Sequence, residues 1–443
     1  MPAEFNKWIT QQQWIPSRLK LGLPSVFRLR YGRSMMALVD QALISGSNFA
    51  ANIVLVRALG LADFGKYYVA YAVILYANAL QVSFITTPML ITAPMLDGED
   101  RTQLLNGMLA MQLLASLLLF AIFAVLGAVS RLFTNYYSLP CILAIACSIG
   151  TYQLQDWLRR YYFLTGRGNL AIVSDFISYF VQLVILAALA WTRHLTLPLT
   201  FWSITLTSAA AFSMGPITDR LRPSMARMRE TWAQCKRLSR ELLLANQVRW
   251  FGDQGILLIG TSIVGATNVG GLRATQSLAG PVNIALTSLD NVLPMKIGEL
   301  LKTKGTAGAY AYIRKAMIVS TLAMGLVLIP IAIFGRSILR IVYGPAVVAF
   351  YIPMLLQLCN MVVGIVTRLW FYFYRGVQDT RAVLRATIVS TLVGVPALFI
   401  FGPLWKSTGV ALASLSGYLA IAVFCIYHWR RFKDELLLRF PGK

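Results

Sequence analysis

Acidic residues are scarce in this 443-residue chain: 17 Asp+Glu stand against 40 Lys+Arg, and charged residues of either sign make up only 13%. Soluble domains carry roughly 25% charged residues, so the composition excludes an ordinary soluble fold. The five cysteines (Cys141, Cys147, Cys235, Cys359, Cys425) are scattered, odd in number and without paired metal spacing. That pattern excludes a disulfide framework and a zinc site. The two histidines, His194 and His428, fall at predicted helix ends, where an interfacial role is expected. Residues 1–33 have no apolar core of signal-peptide length, and the first apolar run starts too late and runs too long for a cleaved secretory signal. The basic excess alone would suggest nucleic acid. Here, however, the cations lie between apolar runs that are each long enough to cross about 30 Å of hydrocarbon, so no nucleic-acid partner is expected.

What is present is 57% hydrophobic residues, arranged in twelve runs. They read as an all-α polytopic membrane protein with spans at 34–56, 67–92, 104–129, 139–163, 170–191, 197–217, 242–265, 271–297, 313–334, 347–374, 382–404 and 408–428. Counting cations in the terminal turns of the spans, thirty Lys+Arg fall on the side of the two termini and eight on the other. This bias predicts that both termini are cytoplasmic in a bacterial inner membrane. The longest connection, 218–241, carries seven cations and reads as a basic cytoplasmic linker lying on the surface between two six-helix lobes, 34–217 and 242–428. A basic cytoplasmic arm (1–33) and tail (429–443) flank the lobes and suit the headgroups of membrane lipids.

The halves echo each other. Leu59-Gly60-Leu61-Ala62-Asp63-Phe64-Gly65 after the first span is matched by Val264-Gly265-Ala266-Thr267-Asn268-Val269-Gly270 after the seventh, offset by 205. Tyr161 to Gly166 after the fourth span is matched by Phe371 to Gly376 after the tenth, offset by 210. Duplicated helical halves with a site between them are a common transporter plan.

Polar stripes point the same way. Gln41, Ser45, Asn48 and Asn52 share one face of the first span, and Gln276, Gly280, Asn283, Thr287 and Asp290 share one face of the eighth. In the second span Asn78 and Gln81 follow Tyr71 on one face. Lipid would penalise such faces, so they must look at protein or water. The expectation is a wet central cavity lined by spans one, two, seven and eight. Arg249 and Asp253, one turn apart in the seventh span, continue a face that holds Asn246 and Gly260. Asp156, Arg159 and Asp175 in spans four and five are expected to pair with one another in a structural role. Gly60 to Tyr67 falls one residue short of a P-loop, and Gly166 to Ala171 is a short turn, so neither reads as a nucleotide site.

At this level the chain resembles the polysaccharide flippases of the multidrug/oligosaccharidyl-lipid/polysaccharide (MOP) exporter superfamily. The resemblance rests on Val56-Arg57-Ala58-Leu59-Gly60 running through Phe64-Gly65-Lys66-Tyr67, with support from Val269-Gly270, Arg273-Ala274, Gly335 to Gly344 and Tyr374-Arg375-Gly376. It implies two six-helix lobes around a V-shaped cavity and alternating access driven by an ion gradient, with no other cofactor. No ion-site residue carries over position by position. From their places in the spans, Asp253, Asp290 and Asp40 are the candidates for the coupling ion, a proton or sodium. Arg249 is the candidate for a pyrophosphate contact, since guanidinium gives bidentate bonds. Gln41, Asn48, Asn52, Asn78, Gln81, Gln276 and Asn283 suit sugar hydroxyls. The expected function is therefore translocation of an undecaprenyl-pyrophosphate-linked oligosaccharide for exopolysaccharide or O-antigen export, alongside a polysaccharide polymerase or glycosyltransferases. A multidrug antiporter of the same superfamily is the first rival. A membrane polymerase or ligase is the second, though it would need catalytic groups on large outer loops, and the outer loops here are short. An inactive scaffold is the third.

Overall fold

The structure is a computed structural model that describes residues 23–219, 222–278 and 280–439. Side chains are described from Val39 onward, except at 219, 244–245, 248–249, 252–253, 280–292, 294–295 and 439. Among the described residues the chain is helical throughout, with no strand. Among the described residues twelve long helices follow in order: α1 (23–59), α2 (61–95), α3 (Gly98–Ser130), α4 (Leu139–Leu164), α5 (Gly168–Trp191), α6 (Leu197–Asp219), α7 (Met225–Val264), α8 (in two parts, Ala266–Ser277 and 280–304), α9 (306–333), α10 (Pro345–Gly376), α11 (380–405) and α12 (407–439). A short helix, Gly335–Tyr343, lies between α9 and α10. They form two six-helix lobes, α1–α6 and α7–α12.

Seven continuous helical stretches are long and apolar enough to cross a membrane, and two of them, Val39–Met95 and Thr380–Leu438, each hold two spans joined at a sharp bend. Leu117, Leu118, Ile122, Val125 and Leu126 of α3, and Ile318, Leu322, Leu326 and Ile329 of α9, all point outward and are exposed. A soluble monomer does not leave apolar stripes of that length bare. This is a multi-pass membrane protein.

Backbone geometry repeats between the lobes. The bends after α1 and α7 fall at Gly60 (φ 75, ψ 170) and Gly265 (φ 81, ψ 162), a conformation closed to residues with a Cβ. The turns after α4 and α10 also match bond for bond: Arg167 N–H donates to Tyr162 O and Asp379 N–H to Tyr374 O, each at 2.8 Å. These pairs are offset by 212, so the counterpart of Gly166 (φ 76) is Gln378 (φ 60) rather than Gly376. The expected echo is real but displaced by two residues, because the geometry follows the helix end and not the glycine.

Segment 218–241 does not form a separate layer. From Met225 it is the first part of α7, and Thr231, Cys235 and Ser239, spaced one turn apart, are buried. A Cβ on Gly107 of α3 would come within 2.1 Å of the Thr231 hydroxyl, and Ser239 donates to Phe84 O of α2 at 3.2 Å. The second lobe thus begins clamped to the first on the face where α1 begins and α12 ends, the terminal face of the described chain.

Candidate functional site

The N-lobe interior holds a charged network centred on α4. That helix carries Gln153, Gln155, Asp156, Arg159 and Arg160 within two turns. Arg159 donates from Nε to Asp175 Oδ2 of α5 and from Nη2 to Asp40 Oδ2 of α1, both at 2.6 Å. Both carboxylates are buried, at 0% and 1% exposure, and Gln155 donates to Asp175 Oδ1 at 2.8 Å. Asp40 Oδ1 is buried with no hydrogen-bond partner among the described residues. Among the described side chains two carboxylates therefore share one guanidinium, one formal negative charge in excess. Alongside, Asp156 accepts from Arg160 (2.8 Å) and from Asn78 (3.1 Å), while Gln81 donates to Gln153 O at 2.8 Å. Asp156 thus pairs with Arg160, whereas the sequence pattern had placed it with Arg159 and Asp175.

A second polar set spans the boundary between the lobes. Near the bends opposite the termini the backbones meet: a Cβ on Gly65 would fall 1.9 Å from Ala266 O, and one on Gly270 would fall 2.3 Å from Leu61 O. Beside this contact Arg273 of α8 lies 3.6 Å over the ring of Tyr68 of α2, and the Tyr68 hydroxyl bonds Gln254 of α7. Arg273 also donates to Gln276. Arg57, at the end of α1, crosses to the other lobe and donates to Val342 O (2.7 Å) and Ile341 O, capping the short helix. Deeper in, Asn246 donates to Ser83 Oγ at 2.9 Å and Tyr76 packs on Trp250. In this set the described side chains are guanidinium, amide, hydroxyl and aromatic groups, with no carboxylate among them; at the other end of the boundary Thr92 meets Cys235, and Glu99 and Asp100 act on Arg227.

No protein-family model matches the chain, and no curated protein is similar to it in sequence. Solved structures are similar in fold. The lipid II flippase MurJ in an inward closed conformation superimposes with a TM-score of 0.63 at 12% identity, covering 92% of this chain and 89% of that one. An inward-facing multidrug resistance MATE transporter of the MOP superfamily gives 0.70 at 13% identity, covering 91% and 96%. A Pyrococcus furiosus MOP transporter, described as having a binding pocket of reversed polarity, gives 0.60 at 13%, covering 92% and 96%. The chain has the MOP-transporter fold.

Within the MOP fold the expected site residues separate into two groups. Asn78 and Gln81 join α4 in the N-lobe interior, and Asp40 joins Arg159. Asn48 lines a small polar pocket in the same lobe with Tyr71, Tyr152, Ser178, Tyr179 and Gln182. Gln41 donates to Ser45 Oγ at 3.1 Å, and Asn52 is half-buried. Gln276 stands with Arg273 at the lobe boundary. The side chains of Arg249, Asp253, Asn283 and Asp290 lie outside the described residues, as does the arm as far as residue 22. Arg159, Gln153, Tyr68, Gln254 and Arg273 are the additions. The densest polar run inside any apolar span, Gln153 to Arg160, was the signal for the first two. Nothing in the sequence singles out Tyr68 or Gln254, because their pairing needs two lobes. His428, expected at an interface, is buried and bonds Asp379 at 2.8 Å, tying α12 to the turn after α10.

Proposed function

We propose that this protein is an alternating-access transporter that moves an undecaprenyl-pyrophosphate-linked oligosaccharide across a bacterial inner membrane, with both termini cytoplasmic. The observation that carries the reading is the chemistry of the lobe boundary, where Arg57 meets backbone carbonyls and Arg273 meets an amide and an aromatic ring, with no carboxylate among their described partners. A cationic drug would be repelled there. A pyrophosphate would find guanidinium donors, which hold phosphate oxygens in pairs, and the amides suit sugar hydroxyls. Arg249, by its place in the middle of α7, is the proposed pyrophosphate contact, with Asp253 one turn away. The excess negative charge shared by Asp40, Arg159 and Asp175 is the proposed seat of the coupling ion, a proton or sodium. Such an ion would relieve two carboxylates competing for one guanidinium.

The test is transport into proteoliposomes under an imposed proton or sodium gradient, comparing a fluorescent pyrophosphate-linked oligosaccharide with a cationic dye. The lipid-linked sugar should move and the dye should not; gradient-driven dye movement alone would favour the multidrug antiporter. Arg249→Ala should bring movement to background at unchanged membrane abundance, and Arg249→Lys should restore only part of it, because ammonium lacks the planar fork. Full recovery in Arg249→Ala with Asp253→Ala would assign Arg249 to charge neutralisation and remove its substrate role.

A further inference from the structure

The short helix Gly335–Tyr343 and the turn that follows it enclose an open pocket of about 380 Å³, lined by Arg336, Ser337, Arg340, Val348, Tyr351 and Ile352 among others. It lies on the face opposite the termini. Arg336 and Arg340 are one helical turn apart, so their guanidiniums project from the same side of the helix, about 6 Å apart at Cβ. Neither has an ion-pair partner among the described residues. The surrounding sequence contains no acid to supply one: from 300 to 378 there is neither Asp nor Glu.

Two cations brought this close repel each other, and the helix that carries them is anchored at both ends. Arg336 lies 4.9 Å over the ring of Tyr351, whose hydroxyl donates to Ala332 O at 3.0 Å. The far end of the helix is held by Arg57 through Val342 O and Ile341 O. Around the pocket the surface is apolar: Ile333, Phe334, Ile341 and Ile352 are 51–71% exposed. Two guanidiniums on one helix face beside bare aliphatic side chains match a ligand with a phosphate at one end and hydrocarbon at the other.

We propose that this pocket binds the phosphate headgroup of an acidic membrane lipid in the leaflet opposite the termini. Arg336 and Arg340 clamp the phosphate oxygens, the Ser337 hydroxyl donates to one of them, and the acyl chains descend along Ile341 and Ile352. The site is independent of what the protein transports and stands whether or not the reading above holds.

The experiment uses the full chain purified in a neutral detergent and titrated with short-chain phosphatidylglycerol, short-chain phosphatidylcholine and inorganic phosphate, with bound ligand read by native mass spectrometry. Phosphatidylglycerol should bind saturably, and R336Q/R340Q should weaken it about tenfold or more, the cost of a lost charge-assisted contact pair. R336K/R340K should fall between the two. Equal binding by wild type and R336Q/R340Q would overturn the site, and inorganic phosphate binding as tightly as the lipid would overturn the assignment to a lipid. In wild-type protein, phosphatidylglycerol with a photoreactive acyl chain should cross-link within 333–352. Adducts found only elsewhere would overturn the proposal even if the glutamine variant failed to fold.

Discussion

The two lobes share a backbone and differ in what they bury. Placed on the matching turns, Asp156, Arg159 and Arg160 of α4 correspond to Arg368, Phe371 and Tyr372 of α10, and Asp175 of α5 to Thr387 of α11. At the offset of the first bend, Asp40 of α1 corresponds to Ala245 of α7. Every member of the Asp40–Arg159–Asp175 triad is thus absent from the C-lobe. There the described polar contacts between helices include two neutral ones, Thr275 donating to Gln357 Oε1 at 2.9 Å and Asn360 donating to Ser414 at 3.0 Å, and the pair of His428 with Asp379 at the turn after α10. The end of the C-lobe nearer the termini is filled instead by Tyr310, Trp370, Phe373 and Trp429, with Tyr310 stacked 4.0 Å from Trp429. Rings fill space and need no countercharge. A buried ionic triad contributes little net stability but is costly to break. The two lobes share a frame, and among the described residues only the N-lobe carries a guanidinium between two buried carboxylates.

The comparison breaks most visibly at Arg159. Arg159→Leu should strand two buried carboxylates and cost about 3–5 kcal/mol, read as a drop in the thermal unfolding midpoint and in membrane abundance. An unchanged midpoint would mean that the triad is not the charged core of the N-lobe. Asp40→Asn is gentler, because it removes the surplus charge and leaves Asp175 paired. The protein should remain folded and keep downhill exchange, while transport coupled to the ion gradient falls to the uncoupled level. Retained coupling in a vesicle assay would take the N-lobe charge out of the mechanism. The smallest effect belongs to the C-lobe. Thr275→Val removes one neutral bond, worth about 0.6–1 kcal/mol among membrane helices, and should leave ion dependence untouched. A shift in ion dependence from that substitution would erase the functional contrast between the lobes.

Much of this was legible in the chain. Apolar runs of spanning length, the bends at Gly60 and Gly265 and the stripe of polar residues on α1 follow from local chemistry. Hydrocarbon rewards apolar length, and a positive φ selects glycine. The amides Asn78 and Gln81 face away from lipid, as their spacing requires, but spacing does not choose between a cavity and α4, since either satisfies a polar face. The basic linker was legible as charged but not as the first part of α7, because the stripe Thr231, Cys235, Ser239 is too weakly apolar to mark a buried face without α2 and α3 beside it.

By itself, then, the sequence determined that this is a membrane protein of twelve helices in two related halves, since those features depend on composition and on spacing along a single helix. Only the tertiary structure decided that Arg159 answers both Asp40 and Asp175, that Asp156 turns instead to Arg160, and that Arg57 and Arg273 reach across to the other lobe. An ionised side chain inside a membrane takes whichever partner the packing brings within about 3 Å. For Arg159, Arg57 and Arg273 that choice is made between helices far apart in the chain, where no periodicity records it; for Asp156 periodicity allows Arg160 one turn on, and only packing shows that Arg159 is already engaged.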